Sequence, residues 1–191
     1  MSIRTSIALV SVLVIMLGAP RVSGQTPASA TNTGAAVGMA VQRLQDDFGV
    51  SGFFTSPAFF GGNARVTVAG GAAWYPYGRT SSGDQDWVPF GHTRIVVESG
   101  HRLGQAPLRL YGFGGVILAF LPQRLSDDLL SVGGVGGFGF EFFAPTNSGS
   151  APVSYFIELG GVGSGARATN EPGRPVLLNG FLIQSGVRFY P

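Results

Sequence analysis

The last sixteen residues, 176–191, alternate in polarity as far as the sequence runs. Leu177, Phe181, Ile183, Val187 and Phe189 share one parity, Gly180, Gln184, Gly186 and Arg188 share the other, and Leu182 alone breaks the pattern. A period of two is the mark of a strand with one apolar and one polar face. A strand without a neighbour leaves a row of unpaired N–H and C=O groups, and closing a sheet into a barrel removes that edge altogether. The expectation is an all-β chain whose final strand pairs with its first.

The opposite end carries a different signal. Arg4 opens a short positive region, residues 7–17 form an apolar run broken only by Ser11, and small residues (Gly18, Ala19, Ser23, Gly24) follow. This is the pattern of a secretory signal peptide over 1–24, with cleavage after Gly24. The apolar run is too short to span a bilayer as a helix, and no later run is longer than 116–121. Residues 25–35, rich in Ala, Thr, Asn and Pro, read as a flexible leader, and 36–191 as one domain.

All twelve basic residues are Arg, against ten Asp and Glu. Two of the twelve, Arg4 and Arg21, fall in the predicted signal, which leaves the remainder near neutral and implies no nucleic-acid partner. There is no Cys, which excludes disulfides, thiolate metal sites and Cys nucleophiles. The 31 Gly are about twice ordinary usage and lie inside apolar runs rather than in Pro/Ser tracts.

Eight strands are expected, at 36–44, 47–56, 63–76, 87–99, 107–119, 130–143, 152–165 and 176–190. Between them lie clusters of Gly, Pro, Asn, Asp and Ser at 61–63, 78–84, 99–100, 126–128, 145–150 and 170–173, all favouring reversal. Spacing near twenty residues suits an up-and-down barrel better than a soluble sandwich. Residues 36–48 also carry a fair helical pattern, but a barrel of the bacterial type needs an even strand count.

Parity sorts the charges. Arg65, Arg94, Arg109 and Arg188, with Glu98, Glu141 and Glu158, fall on the less hydrophobic faces of their strands. A soluble barrel would turn those faces outward, and a membrane barrel would turn them inward. Three features favour the membrane: large aliphatic and aromatic residues along the whole apolar faces, polar faces too rich in Gly, Ser and Thr to cover a water-exposed surface, and a near balance of charge. Trp74, Tyr75, Tyr77, Trp87, Phe120, Phe143 and Tyr190 are then expected to form interfacial girdles. Inward glycines are expected to make room for large neighbours, with Gly133, Gly137 and Gly139 beside Tyr111, Phe113 and Phe156.

Few motifs carry chemistry. Residues 134–139 match the Gly-x-Gly-x-x-Gly dinucleotide pattern, but the helix that pattern requires is missing. His92 lies on a polar face and His101 in a turn. A Ser–His–acid arrangement would draw on Ser131 and Glu98, yet no spacing demands it. Asp46–Asp47 and Asp127–Asp128 are acidic pairs in turns where calcium or divalent lipid-bridging cations could bind, but with no calcium-loop spacing around them they read as solvated turn acids. No catalytic residue, cofactor or metal is expected.

Residues 43–49 (RLQDDFG), 55–57 (TSP), 110–116 (LYGFGGV), 136–143 (GGFGFEFF) and 155–163 (YFIELGGVG) resemble a family of small bacterial outer-membrane β-barrel proteins, the outer membrane protein beta-barrel domain. The resemblance covers roughly residues 36–190. It implies an eight-stranded antiparallel up-and-down transmembrane barrel in the bacterial outer membrane, and carries over no catalytic residue. The last strand also resembles the assembly signal of such barrels, through Phe181, Ile183, Val187 and Phe189, with Tyr190 and Pro191 added beyond the usual aromatic end.

The expected function is a structural or surface-interaction role with a plugged or narrow lumen. Expected partners are outer-membrane lipid and the barrel-assembly machinery during biogenesis, with the chain a monomer. Three rivals remain: a narrow pore or small-molecule-binding barrel, a soluble periplasmic barrel binding an apolar ligand, and a lipid-modifying enzyme using His92 or His101. Four Arg against three Glu in the lumen would give the pore a weak anion preference.

Overall fold

Alternation in each segment becomes one closed sheet. The computed structural model describes residues 34–44, 46–79, 85–104, 106–144, 153–170 and 175–191. The predicted signal segment and most of the leader lie outside the described residues, as do the hearts of the turn clusters at 78–84, 145–150 and 170–173. The strands are β1 (Ala36–Leu44), β2 (Asp47–Thr55), β3 (Ala64–Arg79), β4 (Gln85–Arg102), β5 (Leu108–Phe120), β6 (Leu130–Phe143), β7 (Val153–Ser164) and β8 (Gly180–Phe189). Each pairs antiparallel with its neighbour in sequence, and β1 pairs with β8 to close the barrel.

β1 is a strand, not a helix, and the pairing explains why. It has β2 on one side and β8 on the other, so its backbone groups find partners in two ladders. Carried from strand to strand, the register leads from Gly38 through Phe53, Ala69, Arg94, Ile117 and Gly133 to Ser164. It thus climbs from near one end of β1 to the opposite end of β7, the stagger that closure of a barrel requires.

One end of the barrel, the terminal end, holds Ala36, Phe189 and the connections after β2, β4 and β6. The far end holds those after β1, β3, β5 and β7. The β1–β2 connection is tight, with Leu44 facing Asp47 directly.

The last strand is shorter than the sequence suggests. It begins at Gly180 rather than at 176, because Leu178 and Gly180 take positive φ angles of 47° and 117° and turn the chain. Leu177, expected on the outward face, is instead fully buried in the preceding loop. At the other extreme, β3 and β4 run on past the predicted ends, pairing as far as Arg79 and Gln85. His101 accordingly sits in β4 opposite Leu110, not in a turn. Residues 134–139 lie within β6, so the dinucleotide-like pattern is part of a strand.

The barrel interior takes the charges. Arg65, Arg94, Arg109, Arg188, Glu98, Glu141 and Glu158 are all buried. The outward face is apolar: Val37, Met39, Val68, Ile95, Val97, Val116, Phe138 and Phe181 are among the large exposed side chains. Among the described strand residues pointing outward, one carries a formal charge, Arg43 at the far end of β1.

Of the seven aromatics expected in girdles, Trp87 and Phe120 are exposed and Trp74 half-exposed. Phe143 and Tyr190 are buried, and Tyr75 and Tyr77 pack against the internal apolar cluster. Parity is the reason: Phe143 follows Glu141 by two residues, Tyr190 follows Arg188 by two, and both share the inward side. Leu182, the apparent misfit of the last strand, belongs to the internal cluster as well.

Glycines inside the barrel sit where walls and rings come close. A Cβ on Gly139 would lie 2.5 Å from Cζ of Tyr111, and one on Gly38 would lie 2.3 Å from Cζ of Phe53. The expected pairs Gly139–Tyr111 and Gly137–Phe113 face each other in the register. Phe156, however, packs its ring against Gly186, and Gly133 faces Ile117.

Candidate functional site

The interior is organised in layers along the barrel axis. Near the terminal end, Arg188 on β8 reaches across the barrel to Glu98 on β4, the opposite wall. Its Nη2 donates to Oε1 of Glu98 at 2.6 Å and its Nη1 to Oε2 at 3.0 Å, a two-pronged contact that matches guanidinium to carboxylate geometry. Nη1 also donates to Oε2 of Glu141 at 3.3 Å. Arg109 on β5 bridges the same two acids, with Nη1 at 3.3 Å from Oε2 of each. Arg65 on β3 lies 3.5 Å from Glu141.

Neutral donors complete the two carboxylates. Thr67 donates to Oε1 of Glu98 at 2.7 Å and also lies 2.9 Å from the Thr55 hydroxyl. Ser154 donates to Oε1 of Glu141 at 2.7 Å. Tyr190 donates its hydroxyl to the same oxygen and accepts from Nη1 of Arg65 at 2.8 Å. Withdrawing charge from water costs several kcal/mol per ion, and only dense pairing of this kind offsets it.

A second layer follows toward the far end. Arg94 on β4 lies 3.6 Å from Glu158 on β7, and Tyr111 donates to Oε1 of Glu158 at 2.9 Å. Arg188 joins the layers, 3.9 Å from Glu158. Aromatic rings enclose the Arg188 guanidinium, with Phe156 at 4.8 Å, Tyr111 at 5.5 Å and Phe53 at 5.7 Å from its central carbon. A weakly hydrated, delocalised cation suits such a setting.

The structure thus brings all seven sequence-selected charges into one connected set. Sequence reasoning missed Tyr190, Tyr111, Thr67 and Ser154, which complete it. Their signal was available: each shares parity with a selected charge on its own strand, two residues away for Tyr190, Tyr111 and Thr67.

The histidines stand apart from this set. His92 is buried, 3.0 Å from the Gln42 amide nitrogen, while the oxygens of Glu98 are taken by Thr67, Arg188 and Arg109. His101 is exposed. In the assembly-signal set, Phe181, Ile183 and Phe189 are exposed on the outward face and Val187 is half-buried.

Toward the far end the interior becomes apolar. Leu44, Val88, Phe90 and Leu182 from the strands meet Leu121, Leu125, Ala166, Ala168, Leu177 and Leu178 from two loops. Polar contacts tie these loops together. The Asn170 side-chain amide donates to the Gln123 carbonyl at 2.6 Å and to Oδ1 of Asp127 at 3.3 Å, and its N–H donates to the Leu125 carbonyl at 3.2 Å. Tyr77 donates to the Asn170 carbonyl at 3.1 Å, and Arg124 pairs with Asp86.

Of the acidic pairs, Asp46, Asp127 and Asp128 are exposed as expected, and Asp47 alone departs. Asp47 is buried, not solvated, and its Oδ2 accepts from the Leu178 N–H at 3.0 Å. Asp127 joins the loop contacts through its N–H, which donates to Thr169 at 3.0 Å.

No protein-family model and no curated protein matches this chain. Among solved structures, the crystal structure of the N-terminal β-barrel domain of Pseudomonas aeruginosa OprF is similar. The TM-score is 0.54 at 14% identity, covering 83% of this chain and 97% of that one. At that identity the likeness shows the fold: an eight-stranded, closed, antiparallel β-barrel.

Proposed function

We propose that this chain is an outer-membrane β-barrel protein, with a structural or surface-interaction role and a plugged lumen. One observation carries the reading: buried charges line the inside while large aliphatic and aromatic side chains stand exposed on the outside. A water-exposed barrel would gain nothing from that inversion, whereas lipid rewards it. The strands meet the length of about 9–11 residues that a tilted strand needs to cross, and the likeness to the OprF barrel supports an outer-membrane setting. The paired charges and the loop-fed apolar cluster support the plugged lumen.

On this reading the outward belt meets lipid, and Phe181, Ile183, Val187 and Phe189 present the last strand to the barrel-assembly machinery. Loops at the far end form the presented surface, and the barrel works as a monomer without cofactor or catalytic residue. Heat-modifiable gel migration of the membrane fraction tests the proposal. The folded barrel is expected to migrate differently before and after boiling. Recovery in the soluble periplasmic extract, with no such shift, would sink it. In planar bilayers a closed baseline is expected, and sustained openings would favour the narrow pore instead.

A further inference from the structure

A cleft at the far mouth of the barrel contains a buried acid that the protein satisfies only in part. The cleft has a volume of about 280 Å³ and is lined by Asp46, Asp47, Asn179, Tyr75 and Val176 among others, with no basic side chain among its described lining residues. Asp47 is 4% exposed. Its Oδ2 accepts from the Leu178 N–H, and its Oδ1 has no hydrogen-bond partner. Asp46, its neighbour in the β1–β2 turn, adds a second carboxylate to the same cleft.

An ionised carboxylate oxygen held out of water without a partner is costly, and a second acid alongside raises the cost. The side chains among its described lining residues that carry oxygen are two carboxylates, an amide and the Tyr75 hydroxyl, all hard ligands, with neither sulfur nor imidazole. Such a set suits calcium or magnesium rather than zinc or copper. Calcium accepts irregular shells of six to eight oxygens that include water, and the cleft has room for water.

We propose that Asp46, Asp47 and Asn179 form a divalent-cation site of the calcium type, tying the β1–β2 turn to the loop that leads into β8. The location gives it a role. β1 and β8 are the strands that close the barrel, and Leu44 faces Leu182 at this end of their seam. Asp47 already anchors Leu178, whose backbone adopts the left-handed conformation. A cation on the other oxygen would fasten the same loop a second time, through Asn179.

The test uses the full chain, refolded in detergent and stripped with EDTA. Calcium chloride is titrated in by calorimetry, and the thermal midpoint is followed by circular dichroism against sodium chloride at equal ionic strength. The expected result is one calcium per chain, with a midpoint raised by about 3–6 °C at ten times the dissociation constant. Asp46→Asn, at an exposed turn position, is expected to weaken binding at least tenfold. Asp47→Asn keeps an acceptor for Leu178 and is expected to abolish the calcium response, and Asn179→Ala to weaken it. Absence of calcium heat with no shift beyond the sodium control would overturn the site, as would unchanged binding in Asp46→Asn and Asn179→Ala. The heat shift of the barrel on gels does not depend on this site, so the two proposals fail separately.

Discussion

Arg188 is the residue on which the interior depends most. It contacts all three buried glutamates and lies between three aromatic rings. Its removal leaves Glu98 and Glu141 short of a donor in a space that water does not reach. Arg188→Leu is expected to cost about 3–5 kcal/mol, read as a lowered urea midpoint for the refolded barrel. Tyr190→Phe removes one donor from Glu141 and one acceptor from Arg65, with an expected loss of about 1–3 kcal/mol. A midpoint unchanged in both variants would show that the ion pairs contribute nothing net. Parity made legible in the sequence that Arg188 shares a face with Gln184 and Gly186, opposite Ile183 and Val187. Its partner was not legible, because Glu98 lies ninety positions away on the opposite wall and only the register brings them together.

At the scale of single elements, glycine placement on β6 controls how Tyr111 packs. Gly139 faces Tyr111 across the β5–β6 ladder, and a Cβ there would also lie 2.7 Å from the Tyr111 oxygen. Gly139→Ala must displace the ring and with it the bond to Glu158, costing about 1–3 kcal/mol. In a Tyr111→Ala background the same change is expected to cost much less, since the clashing atoms are gone. Gly70, with open space around its Cβ direction, serves as the neutral control. Equal penalties for Gly139→Ala in both backgrounds would exclude the ring as the cause.

The far-end loops behave as an element of their own. Asn170→Ala removes the side-chain bonds to Gln123 and Asp127, two of the contacts that join residues 121–129 to residues 165–170. Faster proteolysis within those loops is expected, with the thermal midpoint of the barrel little changed. Protease resistance equal to that of the parent chain would show that the apolar contacts and the remaining hydrogen bonds to Thr169 and Leu125 hold the loops without the Asn170 side chain. This part of the fold was poorly legible. Apolar alternation continued from Phe181 back to Leu177, and a positive φ at a bulky Leu178 has no sequence signature. The run therefore read as strand where it is a loop folded into the barrel mouth.

For the whole molecule, strand number and the two faces were legible from alternation, but the sense of the barrel was not. Alternation is symmetric: it separates Ile95 from Arg94 without saying which lies inside. Closure decides, placing Arg94 at 4% exposure and Ile95 at 44%. What surrounds Ile95 then becomes a measurable matter. In a bilayer, Ile95→Arg near the middle of β4 is expected to cost about 2–4 kcal/mol when the barrel folds into lipid vesicles. Ser99→Arg, outward on the same strand but close to the terminal end, is expected to cost about 0–1 kcal/mol, because the penalty falls toward the interface. In a barrel surrounded by water both arginines would be solvated, and the two variants would unfold at nearly the same urea concentration. Depth dependence, not destabilisation alone, is therefore the result that separates lipid from water around this sheet.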